Sequence, residues 1–285
     1  MKIEFFNNFN NGDIHVSREF IKDIIKKTNS SNVDYFHKNS ERILLDIPEI
    51  KTQPKINNID DHISYYKYYD RHPEVFLINT WYNSQPENYK KYSCTLKTLY
   101  ENFKLIYSEL KISIETEDFY IPFIDFSKYQ LPQLLETNQF EKRIFISNCE
   151  AISGQSPQIY WDELIFDLTI KFPNYLFFIT NPSFVKRNNC IHINKILNEQ
   201  LDNNLCENAY ISTICDVIIG NNSGPHTFSF IKENILGDKK QINIMCSYYP
   251  IFTELYNKEH KTFISLKNIN SVEIMKFLGM ILSNI

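Results

Sequence analysis

The run Asn10-Asn11-Gly12-Asp13-Ile14-His15 follows a short apolar run, Ile3 to Phe6, almost at the start of the chain. A carboxylate in that place has two uses. It caps a helix by accepting backbone N–H bonds, or it takes a proton from a bound hydroxyl as a general base. Gly12 supplies the tight turn or close backbone approach that either use needs. Asn11 shares the loop, and His15 is a secondary candidate whose plainer place is the surface.

The second stretch with chemical potential is Gly220-Asn221-Asn222-Ser223-Gly224-Pro225-His226-Thr227. It follows a strand pattern and opens a helix pattern. Asn221, Asn222 and Ser223 suit turns and caps, and Pro225 suits the first helical position. Free N–H groups at a helix start hold phosphate. A capped turn needs no ligand, but two close glycines and His226 exceed what capping needs. His226 is then expected to contact a diphosphate or a sugar hydroxyl.

Two further loops follow strand patterns. Ser153, Gly154 and Ser156 can hydrogen-bond phosphate oxygens, and alone they read as an ordinary polar loop. Asn79, Trp81 and Tyr82 can line a sugar cleft with amide and aromatic groups, although a tryptophan there is more often packed. No dinucleotide GxGxxG, P-loop, GxSxG or HExxH pattern occurs. The six cysteines are scattered with no zinc spacing, which favours reduced thiols and a cytoplasmic protein. No cofactor or metal site is expected.

The elements that must position these loops alternate between strand and helix patterns, which points to α/β architecture with parallel strands. In the first half these are "KIEFF", a helix with Val16, Phe20, Ile21, Ile24 and Ile25 on one face, "VDYFH", "RILLDIP", "EVFLINT" and the helix "LKTLYENFKLIYSEL". After an irregular stretch come "RIFIS", a helix carrying Trp161, Leu164, Ile165 and Leu168, "YLFFIT", "CIHI", "ENAYISTIC", "DVIIG", the helix "FSFIKENIL", "QINIMC" and a closing helix from Ser271. The reading is two Rossmann-like doubly wound domains, residues 1–140 and 141–285, with ligands beyond the carboxyl ends of the strands.

The chain has 285 residues, 43% hydrophobic and 15% aromatic, with a net charge of −4. That composition suits a folded protein and excludes the basic stripe of a nucleic-acid binder. No signal-peptide layout is seen at the start, and no apolar run approaches the roughly 18 residues that span a bilayer. The aromatic content leaves room for a peripheral membrane contact.

As a set, the loops resemble the heptosyltransferase family, glycosyltransferase family nine, which has the GT-B architecture of two Rossmann-like domains across a cleft. "NNGDIHVSREFIKDI" matches the family's "GD" turn, "VIIGNNSGPHTFSF" its "D-[ST]-G-P-x-H" loop, and "RIFISNCEAISGQSPQIYWDELIFDL" the opening of its donor domain. The resemblance implies an inverting, metal-independent glycosyltransferase that moves a sugar from a nucleotide-diphosphate sugar to a glycan or glycolipid. Asp13 would be the base, with Asn11, Gly12, His15, Asn79, Trp81 and Tyr82 around the acceptor. Asn222, Ser223, Gly224, Pro225, His226 and Thr227 would hold the donor diphosphate with Ser153, Gly154 and Ser156.

This chain departs from the family pattern in three places. Asn222 stands where the family has Asp, His226 comes one position early, and the Ser156 loop lacks a Lys, for which Lys186 or Arg187 can substitute. Two other functions remain open: an epimerase-like enzyme of the same architecture, and a module that keeps the fold without the chemistry.

Overall fold

The computed structural model describes residues 1–67, 74–81, 84–85, 87, 96–114, 121–131, 139–151, 154–197, 203–248, 261–267 and 269–284. The chain divides into two compact units, Met1–Lys128 and Tyr129–Ile285. The second unit begins at Tyr129, and its Phe140 packs on a core of Phe145, Leu176, Phe178 and Ile218.

The first unit holds a five-stranded sheet in the order β3-β2-β1-β5-β4. Its strands are β1 (Lys2–Asn7), β2 (Val33–His37), β3 (Ile50–Gln53), β4 (Tyr65–Lys67) and β5 (Val75–Asn79). β1 lies parallel to β2 and β5, and β4 pairs antiparallel with β5. β1 is buried on both faces, Ile3, Phe5 and Phe6 included, as befits a central parallel strand.

After β1 come α1 (Asn11–Val16) and α2 (Arg18–Lys27), parted at Ser17, whose Oγ donates to the Ile14 carbonyl at 2.9 Å. α2 buries Phe20, Ile21, Ile24 and Ile25, the stripe that its 3.6-residue period sets. α3 (Leu96–Leu110) buries Leu99, Phe103, Ile106 and Tyr107, and the Phe103 ring stacks on Phe20.

"RILLDIP" is not a strand. Glu41–Leu44 forms a 3₁₀ turn, opened by Ser40 Oγ accepting from the Arg42 N–H. The buried Arg18 guanidinium holds this turn through the Ile43 carbonyl and the Asp46 carboxylate. The third strand is set at Ile50–Gln53 instead.

The second unit holds a six-stranded sheet in the order β11-β10-β9-β6-β7-β8, with every pairing parallel. Its strands are β6 (Lys142–Ser147), β7 (Tyr175–Ile179), β8 (Cys190–His192), β9 (Val217–Asn221), β10 (Gln241–Cys246) and β11 (Lys261–Leu266). The helices are α4 (Trp161–Lys171), α5 (Leu205–Thr213), α6 (Gly224–Phe228), α7 (Lys232–Leu236) and α8 (Ser271–Leu282).

α4 buries Trp161, Leu164, Ile165 and Leu168 against β6, β7 and β9, where the sequence pattern put them. α8 starts on a capping box in which the Asn270 side chain accepts from Val272 and Glu273. The expected single helix "FSFIKENIL" is two short ones. Ser229 Oγ closes α6 on the His226 carbonyl at 2.6 Å, and Asn234 Nδ2 ties the break at the Ser229 carbonyl at 2.8 Å. Among the described residues no helix is long and apolar enough to cross a membrane.

Candidate functional site

In the first unit, β1, β2 and β5 run parallel, so their carboxyl ends open on one edge of the sheet. The chain leaves β1 through Asn7, whose Nδ2 donates to Thr80 Oγ1 at 3.0 Å just beyond β5. Thr80 Oγ1 also lies 2.5 Å from the buried Tyr35 hydroxyl on β2. Asn7 Oδ1 receives the Phe9 N–H, and the Phe9 carbonyl receives Asn39 Nδ2 from the loop after β2. These bonds fix the backbone from which α1 begins.

The N-cap of α1 is Asn10, and Asp13 stands three positions later as the return half of a capping box. The Asn10 N–H donates to Asp13 Oδ2 at 3.1 Å. This corrects the expectation that Asp13 itself is the cap. Asp13 is half-buried, and loss of solvation lifts its carboxyl to about 6, against the opposing pull of backbone N–H bonds and of Lys38. A carboxyl with that pKa is a stronger base than an exposed aspartate and is still ionised at neutral pH.

The other candidates of the first unit fall in different places. Asn11 and Gly12 are half-buried beside Asp13. His15 is fully buried, not on the surface, because α1 turns that face inward with Ile14 and Val16. Asn79 is buried and bound within the chain: its Nδ2 holds the carbonyls of Asp61 and Ile63, and its Oδ1 receives the Trp81 N–H. Trp81 is half-buried, stacked on Phe9 with ring centroids 3.8 Å apart. Tyr82 and Ser153 lie outside the described residues.

In the second unit, the carboxyl ends of β6, β9 and β10 bring together the Gly220 and Ser156 loops. Gly220 lies opposite Ser147 of β6, and a Cβ there would sit 2.5 Å from Ser147 Cβ. Glycine is required at this place to let β9 approach. Ser147 Oγ and Ser223 Oγ lie 3.1 Å apart. The Asn222 N–H donates to Ser156 Oγ at 2.8 Å, Gln155 Nε2 donates to the Asn222 carbonyl at 2.7 Å, and Asn222 Nδ2 donates to Ser247 Oγ at 3.2 Å. The Tyr248 N–H, just past β10, donates to the Gln155 carbonyl at 2.9 Å. Gly154 is exposed with φ of +67°, the left-handed bend that aims this loop.

Asn222 and Ser223 are buried, Thr227 is buried, and Gly224 and Pro225 are half-buried. His226 does not lie at the loop surface. Its ring is fully buried, stacked on Phe230, with Nε2 2.9 Å from Asn243 Oδ1 on β10. Burial pushes its pKa down, so the ring stays neutral. Its place is beneath the loop, where it ties the start of α6 to β10. Lys186 and Arg187 are exposed in the connection from β7 to β8. Asn148 orders the start of that connection by accepting the Thr180 and Asn181 N–H groups at 3.0 and 2.8 Å.

Several residues of these two edges escape a sequence reading: Asn7, Tyr35 and Thr80 in the first, Gln155, Ser247 and Tyr248 in the second. The available signal was position, since all but Tyr35, in the middle of β2, sit at or just past the carboxyl end of a strand or in the loop packed there. Among the described residues no three His, Cys, Asp or Glu side chains cluster as a metal site.

No family model and no curated protein matches this chain. Solved structures do. The E. coli heptosyltransferase WaaC with ADP is similar over 99% of this chain and 98% of that chain, at 10% identity and a TM-score of 0.55. WaaC with ADP-2-deoxy-2-fluoro heptose is similar over 100% and 99%, at 10% identity and 0.50. TibC from enterotoxigenic E. coli, an iron-containing dodecameric heptosyltransferase in complex with ADP-D-beta-D-heptose, is similar over 94% of this chain and 63% of that one, at 12% identity and 0.50. At such identities the likeness is one of fold: α/β, with two domains built on parallel sheets, as in GT-B glycosyltransferases.

Proposed function

We propose that this chain is an inverting glycosyltransferase that takes a sugar from a nucleotide-diphosphate sugar. The observation that carries the reading is Asp13, a half-buried carboxyl in the first turn of the helix that follows the central strand, lifted to about 6 by burial. The fold supports it, because WaaC and TibC, which share it, are named as heptosyltransferases and were solved with ADP or an ADP-sugar.

In this reading the first unit takes a glycan or glycolipid acceptor beside Asn11, Gly12 and Asp13, and the second takes the donor at the loop of Asn222, Ser223 and Gly224. The acceptor oxygen attacks the anomeric carbon opposite the diphosphate. One C–O bond forms as the other breaks, configuration inverts, the nucleoside diphosphate leaves, and Asp13 receives the acceptor proton. Lys186 and Arg187 are the exposed cations assigned to the leaving charge. His226 is a positioning residue for the loop. The transfer needs no metal, a point that the iron named in TibC makes worth testing. The enzyme works in the cytoplasm with its cysteines reduced.

A thermal-shift panel of UDP, GDP, ADP, CDP and TDP tests the donor site. A nucleotide at a hundred times its dissociation constant stabilises by about 2.7 kcal/mol. One nucleotide should stabilise the wild type and not the Ser223→Ala variant, and activity with the matching sugar donor should persist in EDTA. Stabilisation by none of them would refute the reading. A binding module without chemistry is favoured by one observation, that Asn222 already spends its N–H and amide inside the loop cluster. It predicts no turnover and no effect of Asp13→Asn on any ligand.

A further inference from the structure

Four polar side chains around the two ends of α1 are fully buried: Asn7, Ser17, Tyr35 and Thr80. The transfer chemistry uses none of them. A buried polar group is costly unless it meets a partner, and a satisfied set fixes one arrangement of the backbone around it. Here the set closes on one hydroxyl. Tyr35 Oη lies 2.5 Å from Thr80 Oγ1, which receives Asn7 Nδ2 at 3.0 Å. Asn7 Oδ1 in turn receives the Phe9 N–H at 3.0 Å, one residue before Asn10, the N-cap of α1. Ser17, the C-cap of α1, also hydrogen-bonds the Tyr35 hydroxyl, and its own Oγ donates to the Ile14 carbonyl at 2.9 Å. Both ends of α1 are thus tied to one side chain of β2. A helix of six residues has little stability of its own, so the ties at its ends decide where its side chains stand. Asp13 is in its first turn.

Tyr35 is itself held. Its ring centroid lies 5.8 Å from that of Phe5 on β1, and 5.0 Å from that of His37 in an edge contact. Burial pushes the Tyr35 phenol well up and the His37 imidazole down to about 4, so both are neutral at neutral pH. The charges that bear on this cluster are Arg18 and Asp13, which act on Tyr35, and Lys38, which acts on Asp13.

We infer that Tyr35 is a positioning residue for Asp13: its hydroxyl, acting through Thr80 and Asn7 at one end of α1 and through Ser17 at the other, sets the depth at which the base stands. The link to turnover rests on the glycosyltransferase reading, whereas the positioning is read without substrate. Tyr35→Phe keeps the ring and removes the hydroxyl. The tie to Ser17 is then lost, Thr80 loses its neighbour, and Asp13 gains water.

The test is a carbon-13 NMR titration of the Asp13 carboxyl in the full chain, assigned by its absence in Asp13→Asn. The wild type should titrate at about 6. Tyr35→Phe and Thr80→Val should each lower that by about one pH unit, toward the ordinary 3.8, and Thr80→Ser should keep the wild-type value. Tyr107→Phe is the control: it removes a hydroxyl that donates to Asp23 at 2.8 Å elsewhere in the same unit, and it should leave Asp13 unmoved. Where Tyr35→Phe does not fold, the two Thr80 variants carry the test. An unmoved Asp13 in folded variants overturns the inference. So does an equal fall in Tyr107→Phe, or a wild-type Asp13 already at the ordinary value. Turnover is followed alongside, with the sugar donor of whichever nucleotide binds. Tyr35→Phe should cut kcat about tenfold and leave KM near its wild-type value. A titration that moves with kcat unchanged overturns the inference as well. If Asp13→Asn abolishes turnover but Tyr35→Phe matches the wild type in titration and kcat, this inference alone falls. If the titration moves as expected and no chain turns over, the transferase reading falls and the positioning of Asp13 remains.

Discussion

Ser156 Oγ accepts the Asn222 N–H at 2.8 Å, which joins the loop after β6 to the loop after β9. Gln155, one residue earlier, donates to the Asn222 carbonyl, so both backbone polar groups of one residue are held by adjacent residues of the other loop. Neither residue is charged. The second unit builds this loop cluster from hydroxyls and amides, and Lys186 and Arg187 stand exposed on the connection after β7.

That latch can be weighed. Ser156→Ala removes one of two acceptors of the Asn222 N–H, since the Cys246 carbonyl lies 3.2 Å from the same nitrogen. The expected loss is about 1 kcal/mol in urea unfolding, with a larger proportional loss of nucleotide stabilisation. An unchanged nucleotide response in a destabilised variant would detach Ser156 from the donor site.

Gly220→Ala is a test of close strand approach. The added methyl would meet Ser147 Cβ at 2.5 Å and the Ser147 carbonyl oxygen at 2.6 Å. Backbone must move to admit it, at a cost of about 1–3 kcal/mol. The Ser147–Ser223 contact should be lost with it, so thermal stability and nucleotide binding fall together in a melting series with and without ligand.

Asp13 makes a prediction about pH. As a base it must be ionised, so turnover should rise as pH increases through about 6 and level off above. Asp13→Asn should abolish turnover and leave the fold. Stability follows the opposite sign. The folded pKa lies above the unfolded value of 3.8, so the carboxyl supports folding fully below 3.8 and loses that support as pH rises through about 6. The melting temperature of Asp13→Asn, measured against wild type, should therefore improve between pH 4 and pH 7. A constant difference across that range would show that Asp13 is solvated.

Arg18 and Asp46 form an ion pair with both side chains fully buried, joined by Lys22 at 3.0 Å from Asp46. Breaking a buried pair from one side strands the remaining charge, so Asp46→Ala should cost about 3–5 kcal/mol in chemical denaturation. Arg18→Met combined with Asp46→Leu should cost less than the sum of the two single changes.

Much of this was legible in the sequence where burial set a period. Continuous apolar runs such as "YLFFIT" and "DVIIG" mark strands covered on both faces, and the spacing of Phe20, Ile21, Ile24 and Ile25 marks a helix stripe. "RILLDIP" misled because its backbone is turned onto the Arg18 guanidinium, which donates to the Ile43 carbonyl from 25 residues away in the chain, a contact that no local pattern records. β4 is three residues long and antiparallel, too short for a period to show. Among the candidate residues, Gly12, Asp13 and Ser223 lie in the turns where their residue types put them, at the ends of strands. His226 and His15 do not, because a histidine carries the same signal whether it meets a ligand or, as here, packs inside.

The strand orders have a consequence for how such a chain can change. In the first sheet the chain runs outward from β1 through β2 to β3 and returns on the other side through β4 to β5, and in the second the connections part between β6 and β9. Each parting is a topological switch point, where neighbouring loops diverge and leave a crevice whatever their sequence. In both units hydroxyl and amide contacts span it, Asn7 to Thr80 in the first and Ser147 to Ser223 in the second among them. The crevices belong to the winding of the chain. Loop residues around them can change while the gaps between the strand ends stay where the winding puts them.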